Sequence, residues 1–209
     1  ARLSMITVSD TSPINYLVLI DCQELLPKLF DSVLIPEAVH RELQAAGTPE
    51  PVRQFVSAAP GWLEIRSAPD VPATIAHLDS GEREAIALAL AVGTEFVLLD
   101  ERKGRQAAKE HGLQAYGTLG VIGLAAERNL VALEDALERL QQTNFRASPR
   151  LLKAVREGTV GEQADQCLAN GAKVILLTSL DSGSGCAIIA AATARKVRTI
   201  DYDRLNTGC

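Results

Sequence analysis

The side chains best placed to do chemistry in this sequence are acids that close apolar runs. Asp10 follows Ile6-Thr-Val-Ser9, Asp100 follows Phe96-Val-Leu-Leu99, and Glu82 follows Asp79-Ser-Gly81 at the head of a small-residue stretch. A further acid, Glu42, lies beyond Pro36 and beside Arg41. Carboxylates drawn together from distant parts of a chain repel one another, and some would take up protons. A hard divalent cation such as Mg²⁺ or Mn²⁺ relieves that cost, because it takes oxygen ligands and is commonly held by a few carboxylates, waters and phosphates. It also acidifies a bound water and clamps a phosphate under attack. Asp10, Glu82 and Asp100 are therefore the candidate metal ligands, with Glu42 a further candidate catalytic acid.

Each acid also has a plainer explanation. Asp10 suits the cap of a following helix. Glu82 and Glu84 suit the first turn of a helix, where the dipole favours negative charge. Glu42 suits a solvated helix face. The cations Arg102, Lys103, Arg105 and Lys109 suit a solvated face too, but they begin immediately after Asp100. There they would meet phosphate oxygens. His40, His77 and His111 are scattered and read as structural or surface residues. The chain has no nucleophile elbow, phosphate-cradling glycine loop or dinucleotide fingerprint.

The elements that must position these acids alternate between strand and helix. Met5–Ser9 reads as a strand, with Ser12 capping a helix from Pro13 to about Ile20. Val33–Ile35 is a short strand stopped by Pro36, which opens a helix over Glu37–Ala45. A helix over Val52–Ala58 and a strand over Trp62–Ile65 follow. The clearest helix is capped by Asp79 or Ser80 and ends at Gly93. Phe96–Leu99 is a buried strand by composition, and the basic helix after it ends at Gly112. Thr118 caps an apolar helix to about Glu127, followed by helices over Leu133–Gln142 and from Pro149 to near Glu157. Apolar strands that end in acids, alternating with helices, predict a parallel sheet covered on both faces. In such sheets ligands collect at the carboxyl ends of the strands.

Composition narrows the classes. Over 209 residues, 47% hydrophobic and 22% charged composition supports a packed core and argues against disorder. Aromatics at 4% argue against recognition by stacked aromatic platforms, and a net charge of −5 argues against a basic coat for nucleic acid. Cys22, Cys167, Cys186 and Cys209 show no metal-ligand spacing and read as reduced thiols. No apolar run reaches the roughly 18 residues of a membrane span. No secretory signal opens the chain. Met5 reads as the natural first residue, with residues 1–4 a remnant before it.

Five segments taken in order carry a family resemblance: Asp10-Thr-Ser-Pro-Ile14, Pro36-Glu-Ala-Val-His-Arg-Glu-Leu43, Leu78-Asp-Ser-Gly-Glu-Arg-Glu-Ala-Ile-Ala-Leu-Ala89, Leu98-Leu-Asp-Glu-Arg-Lys-Gly-Arg105 and Gly117-Thr-Leu-Gly120. Together they resemble the PIN-domain family, in the branch similar to VapC-type toxins of toxin–antitoxin pairs. The resemblance covers residues 5–157. It implies a Rossmann-like α/β/α sandwich with a mostly parallel central sheet, and a Mg²⁺- or Mn²⁺-dependent endoribonuclease. The family's acids match Asp10, Glu42, Glu82 (or Glu84 in its place) and Asp100 with Glu101 beside it. Ser12 matches the hydroxyl after the first acid. The resemblance further implies RNA as substrate, a cytoplasmic location, a homodimer and a silencing antitoxin protein. The other class open to the chain is a non-catalytic binding module: an inactive PIN fold that binds RNA or protein or, less favoured, a sugar-binding fragment through residues 158–209.

Residues 158–209 stand apart from that resemblance and read as a short α/β tail. Its strings Ala169-Asn-Gly-Ala-Lys-Val-Ile-Leu-Leu177, Asp181-Ser-Gly-Ser-Gly185 and Ile200-Asp-Tyr-Asp-Arg-Leu205 resemble one corner of a periplasmic sugar-binding protein. Asp203 and Arg204 match positions that touch sugar in that family. A sugar cleft needs two lobes, so the tail reads as a fusion, a truncation product or an extension of the sheet.

Overall fold

The structure, a computed structural model, describes residues 5–157. The expected tail over 158–209, with Asp203 and Arg204, lies outside the described residues.

The chain runs β1 (Ile6–Ser9), α1 (Thr11–Leu19), α2 (Leu25–Leu29), β2 (Ser32–Pro36), α3 (Glu37–Leu43), α4 (Glu50–Ser57), β3 (Leu63–Arg66), α5 (Ser80–Val92), β4 (Phe96–Leu98), α6 (Arg102–Glu110), β5 (Gln114–Tyr116), α7 (Thr118–Glu127), α8 (Leu133–Gln141) and α9 (Pro149–Arg156), with a 3₁₀ turn at Ala73–Ile75. The strands form one sheet in the order β3-β2-β1-β4-β5, and every pair is parallel. This is the α/β/α architecture expected from the alternating pattern.

Alternation along the strands builds a core on each face. Val33, Ile35, Phe96, Leu98 and Tyr116 join α1 and α7 in one cluster. Val8, Leu34, Val97 and Ala115 join the apolar side of α5 and α6 in the other. In register, Val8 lies between Leu34 and Val97, and Val97 pairs with Ala115. That continuous row fixes the strands against slippage, because a one-residue shift would turn it to the opposite layer. The small residues Ala85 and Ala89, both fully buried, allow α5 to lie close to the sheet. Gly93 ends α5 in the left-handed conformation at φ 68°, where a glycine carries no side-chain penalty.

Several boundaries differ from the sequence expectation. α1 begins at Thr11, so Ser12 lies inside the first turn and does not cap it; Asp10 occupies the cap position. Thr118 is likewise the first residue of α7, with Gly117 at its cap position. β5 had no counterpart in the sequence expectation. Among the described residues, no helix is long and apolar enough to cross a membrane.

Candidate active site

The sheet changes winding direction between β1 and β4, and ligands of doubly wound sheets bind beyond the strand ends at such a point. The acids are positioned there by the strands themselves. The backbone N–H of Asp10 donates to the Leu98 carbonyl at 2.9 Å, which ties the end of β1 to the end of β4. Leu99 N–H donates to the Tyr116 carbonyl at 2.7 Å and carries the same edge on to β5.

Asp10 sits at the cap position of α1, but its side chain makes no capping hydrogen bond. Apart from the pull of the Thr11 N–H, the plain capping role therefore does not account for its carboxylate. Burial pushes its pKa up to about 7; the Thr11 N–H pulls the other way, and the charges of Glu42, Glu82 and Asp100 push it further up. Glu42 reaches the same place from α3, held by the Thr11 hydroxyl, which donates to Oε2 at 2.7 Å. Both acids crowd the bare backbone of Gly81. A methyl group there would stand 2.6 Å from Asp10 Oδ1 and 3.3 Å from Glu42 Oε2.

Glu82 is 4% exposed, in the first turn of α5. Its side chain runs against Gly104 of α6, and its Oε1 is buried with no hydrogen-bond partner. Burial raises its pKa, as do the charges of Asp79 and Glu101; the N–H groups of Asp79 and Gly104 offset part of this. Glu84 goes elsewhere. It accepts from the Ala38 N–H at 3.0 Å and lies 3.9 Å from Arg41, so it anchors the start of α3. Of the two candidates for the third acid, Glu82 alone lines the cavity with Asp10 and Glu42.

Asp100 is held by Thr118, whose N–H donates to Oδ1 at 2.7 Å and whose hydroxyl donates to Oδ2 at 2.6 Å. Burial raises its pKa, the two Thr118 donors and Arg105 lower it, and Glu101 raises it again. Arg105 also donates to the Asp100 carbonyl. The Asp100 carboxylate abuts Gly117 as Asp10 abuts Gly81.

These residues line two adjoining cavities. Asp10, Glu42, Asp79 and Glu82 line one of about 540 Å³, and Asp100 and Arg105 line another of about 430 Å³. Ser12 and Glu101 line both, so the two meet at those side chains. Of the basic group, Arg105 alone lines either cavity; Arg102, Lys103 and Lys109 are exposed on α6. Sequence reasoning placed Asp79 and Thr118 only as helix caps and gave Thr11 no role. The hydroxyl beside each acid in sequence or across a strand end was the available signal.

Among the described residues, no three His, Cys, Asp or Glu side chains stand close enough, as placed, to hold a metal ion. The donor set nonetheless suits a hard cation. It consists of carboxylate oxygens, one of them buried without a partner, and Asp10 carries the repulsion of three acidic neighbours.

The chain matches the family DUF3368, a PIN domain, over residues 6–161. No curated protein matches it. Among solved structures it is similar to a PilT N-terminus domain protein from the hyperthermophilic archaeon Sulfolobus solfataricus P2, at 17% identity and a TM-score of 0.40, covering 69% of this chain and 100% of that one. PIN domains are generally nucleases and typically use divalent metals; with the family matched across most of its length, this chain belongs to the PIN-domain family.

Proposed function

We propose that the chain is a divalent-metal-dependent endoribonuclease that acts as the toxin of a toxin–antitoxin pair. The observation that carries this reading is that Asp10 Oδ1 and Glu42 Oε2 both crowd the position a side chain on Gly81 would take, in a cavity shared with the unpartnered Oε1 of Glu82. Asp10, Glu42 and Glu82 would hold Mg²⁺ or Mn²⁺, with Asp100 completing the set from the adjoining side. When bound, the cation supplies positive charge to a phosphodiester and acidifies a water nucleophile.

The chain's own residues do the rest. Asp10 must lose the proton that burial favours. The Thr11 hydroxyl steers Glu42, and Thr118 fixes the orientation of Asp100. Arg105 at the cavity wall, and Arg102, Lys103 and Lys109 outside it, align the phosphate backbone. A water then attacks phosphorus in line, and the opposite oxygen leaves. RNA is the substrate. An antitoxin protein masks the site, the toxin works as a homodimer, and its compartment is the cytoplasm.

A second reading has its own support. Thr118 already satisfies both oxygens of Asp100, and among the described residues no three acids are gathered closely enough to hold a metal, as suits a module that binds RNA or protein without cutting. A manganese titration with end-labelled RNA, on wild type and Asp10→Asn, separates the two. Metal-dependent cleavage lost in Asp10→Asn while RNA binding persists supports the nuclease. Cleavage by neither protein supports the module.

A further inference from the structure

The cavity of about 430 Å³ beside the acids contains a set of side chains that carboxylate chemistry does not use. The segment between α8 and α9 brings Asn144, Phe145 and Arg146 to its wall, and α1 brings Tyr16. Tyr16 and Phe145 meet edge to face with ring centroids 4.8 Å apart, and both are half-buried. Asn144 and Arg146 are exposed. Arg105 and Asp100 line the same cavity. The volume falls within the roughly 300–1,000 Å³ of ordinary ligand sites.

We propose that this cavity is a nucleotide subsite that holds one unpaired nucleotide of the RNA next to the bond being cut, and so sets the enzyme's sequence preference. The inference rests on the ribonuclease reading for its location, because Ser12 and Glu101 join the two cavities. Its chemistry is that of single-strand recognition. Unstacked bases lie against aromatic rings or guanidinium planes and are read through hydrogen bonds on their edges. Phe145 and Tyr16 supply the aromatic wall. The Asn144 amide offers a donor and an acceptor to a base edge. Arg105 and Arg146 supply guanidinium groups for the flanking phosphates. A carboxylate-bearing peptide would also meet the arginines, but it would leave the aromatic wall without a purpose. Low overall aromatic content is no obstacle, since a percentage over the chain averages away one local pair.

The test uses the full chain and its Asn144→Ala and Arg146→Ala variants. Both positions are exposed, and circular dichroism checks that the fold is kept. The first measurement is fluorescence anisotropy of a labelled, randomised single-stranded RNA pool without added metal. The second is sequencing of the cut sites in the same pool with Mn²⁺. Arg146→Ala is expected to weaken binding about tenfold with a shallower salt dependence. Asn144→Ala is expected to relax the preference at one position beside the cut by roughly tenfold. Weakened binding in Arg146→Ala without cleavage by any protein removes the nuclease reading and, with it, the subsite's place beside a scissile bond, leaving only a nucleotide-binding cavity. Normal cleavage with unchanged binding and unchanged preference in both variants overturns the subsite and leaves the nuclease standing.

Discussion

Thr118 donates to both carboxylate oxygens of Asp100, from its backbone N–H to Oδ1 and from its hydroxyl to Oδ2. Thr118 is itself fully buried, so no water replaces a donor that is removed.

Thr118→Val keeps the shape and the N–H bond but removes the hydroxyl. Losing a buried hydrogen bond to a charged group costs about 1–3 kcal/mol. Burial already raises the Asp100 pKa, and the Thr118 donors lower it. Their partial loss raises it further, so the folded protein favours the protonated acid more than the unfolded chain does. Stability then falls as pH rises through the carboxylate range. Urea unfolding is expected to show a larger loss at pH 8 than at pH 5.

Asp10 gives a second pH dependence. Its pKa moves from 3.8 to about 7 on folding, so between those values the folded protein binds more protons than the unfolded chain. Metal-free wild type should therefore lose stability from about pH 4 to pH 7 and change little from this source above pH 7. Asp10→Asn removes the penalty and should melt higher than wild type at pH 8, by an amount on the order of a few kcal/mol in stability, with the gap closing near pH 4. Manganese should raise the wild-type melting temperature at pH 7.5 and do much less for Asp10→Asn, as followed by thermal unfolding.

Glu82 and Glu84 differ in what their carboxylates meet. Glu82→Gln should reduce cleavage about 100-fold or more while stabilising the metal-free fold near neutral pH, because the charge that burial and the acids Asp79 and Glu101 disfavour is removed. Glu84→Gln weakens only the hold on the Ala38 N–H and Arg41, so activity should stay within a few fold, with stability lowered by about 1 kcal/mol. Parallel initial rates and unfolding curves test the pair; equal activity losses would show that Glu84 also serves the reaction.

Gly117→Ala tests position rather than charge. Its φ of −90° is open to alanine, but the added methyl would lie 2.7 Å from Asp100 Oδ1. Asp100 must then move away from Thr118. A shift of about 1 Å near reacting groups can cost on the order of 100-fold in rate. The expected result is a large fall in kcat with modest change in melting temperature.

What the sequence revealed follows from where information is local. Val8 and Val97 alternate or cluster within their own strands, so β1 and β4 were legible, and with them the strand-end placement of Asp10 and Asp100. β5 was not, because Gln114-Ala-Tyr116 is too short to show a period and becomes a strand by pairing with β4. Whether Glu82 or Glu84 enters the cavity depends on which side of α5 meets α3 and α6, and helix-start chemistry suits both. Asn144 and Arg146 carry no local signal, since they reach the site from a segment far along the chain. The Ser12 cap failed for a smaller reason: Asp10 can start the helix from the strand end, so the turn begins earlier than the proline suggests.

The contacts at Gly81, Gly104 and Gly117 have a physical consequence for the acids that face them. Crowded carboxylates ordinarily relax by swinging apart, but here main chain blocks much of that travel. Relief then comes from either a proton or a cation. Acidified solutions should therefore yield a sturdy but silent protein. Near neutrality, the same molecule must either carry its counterion or hold its edge more loosely.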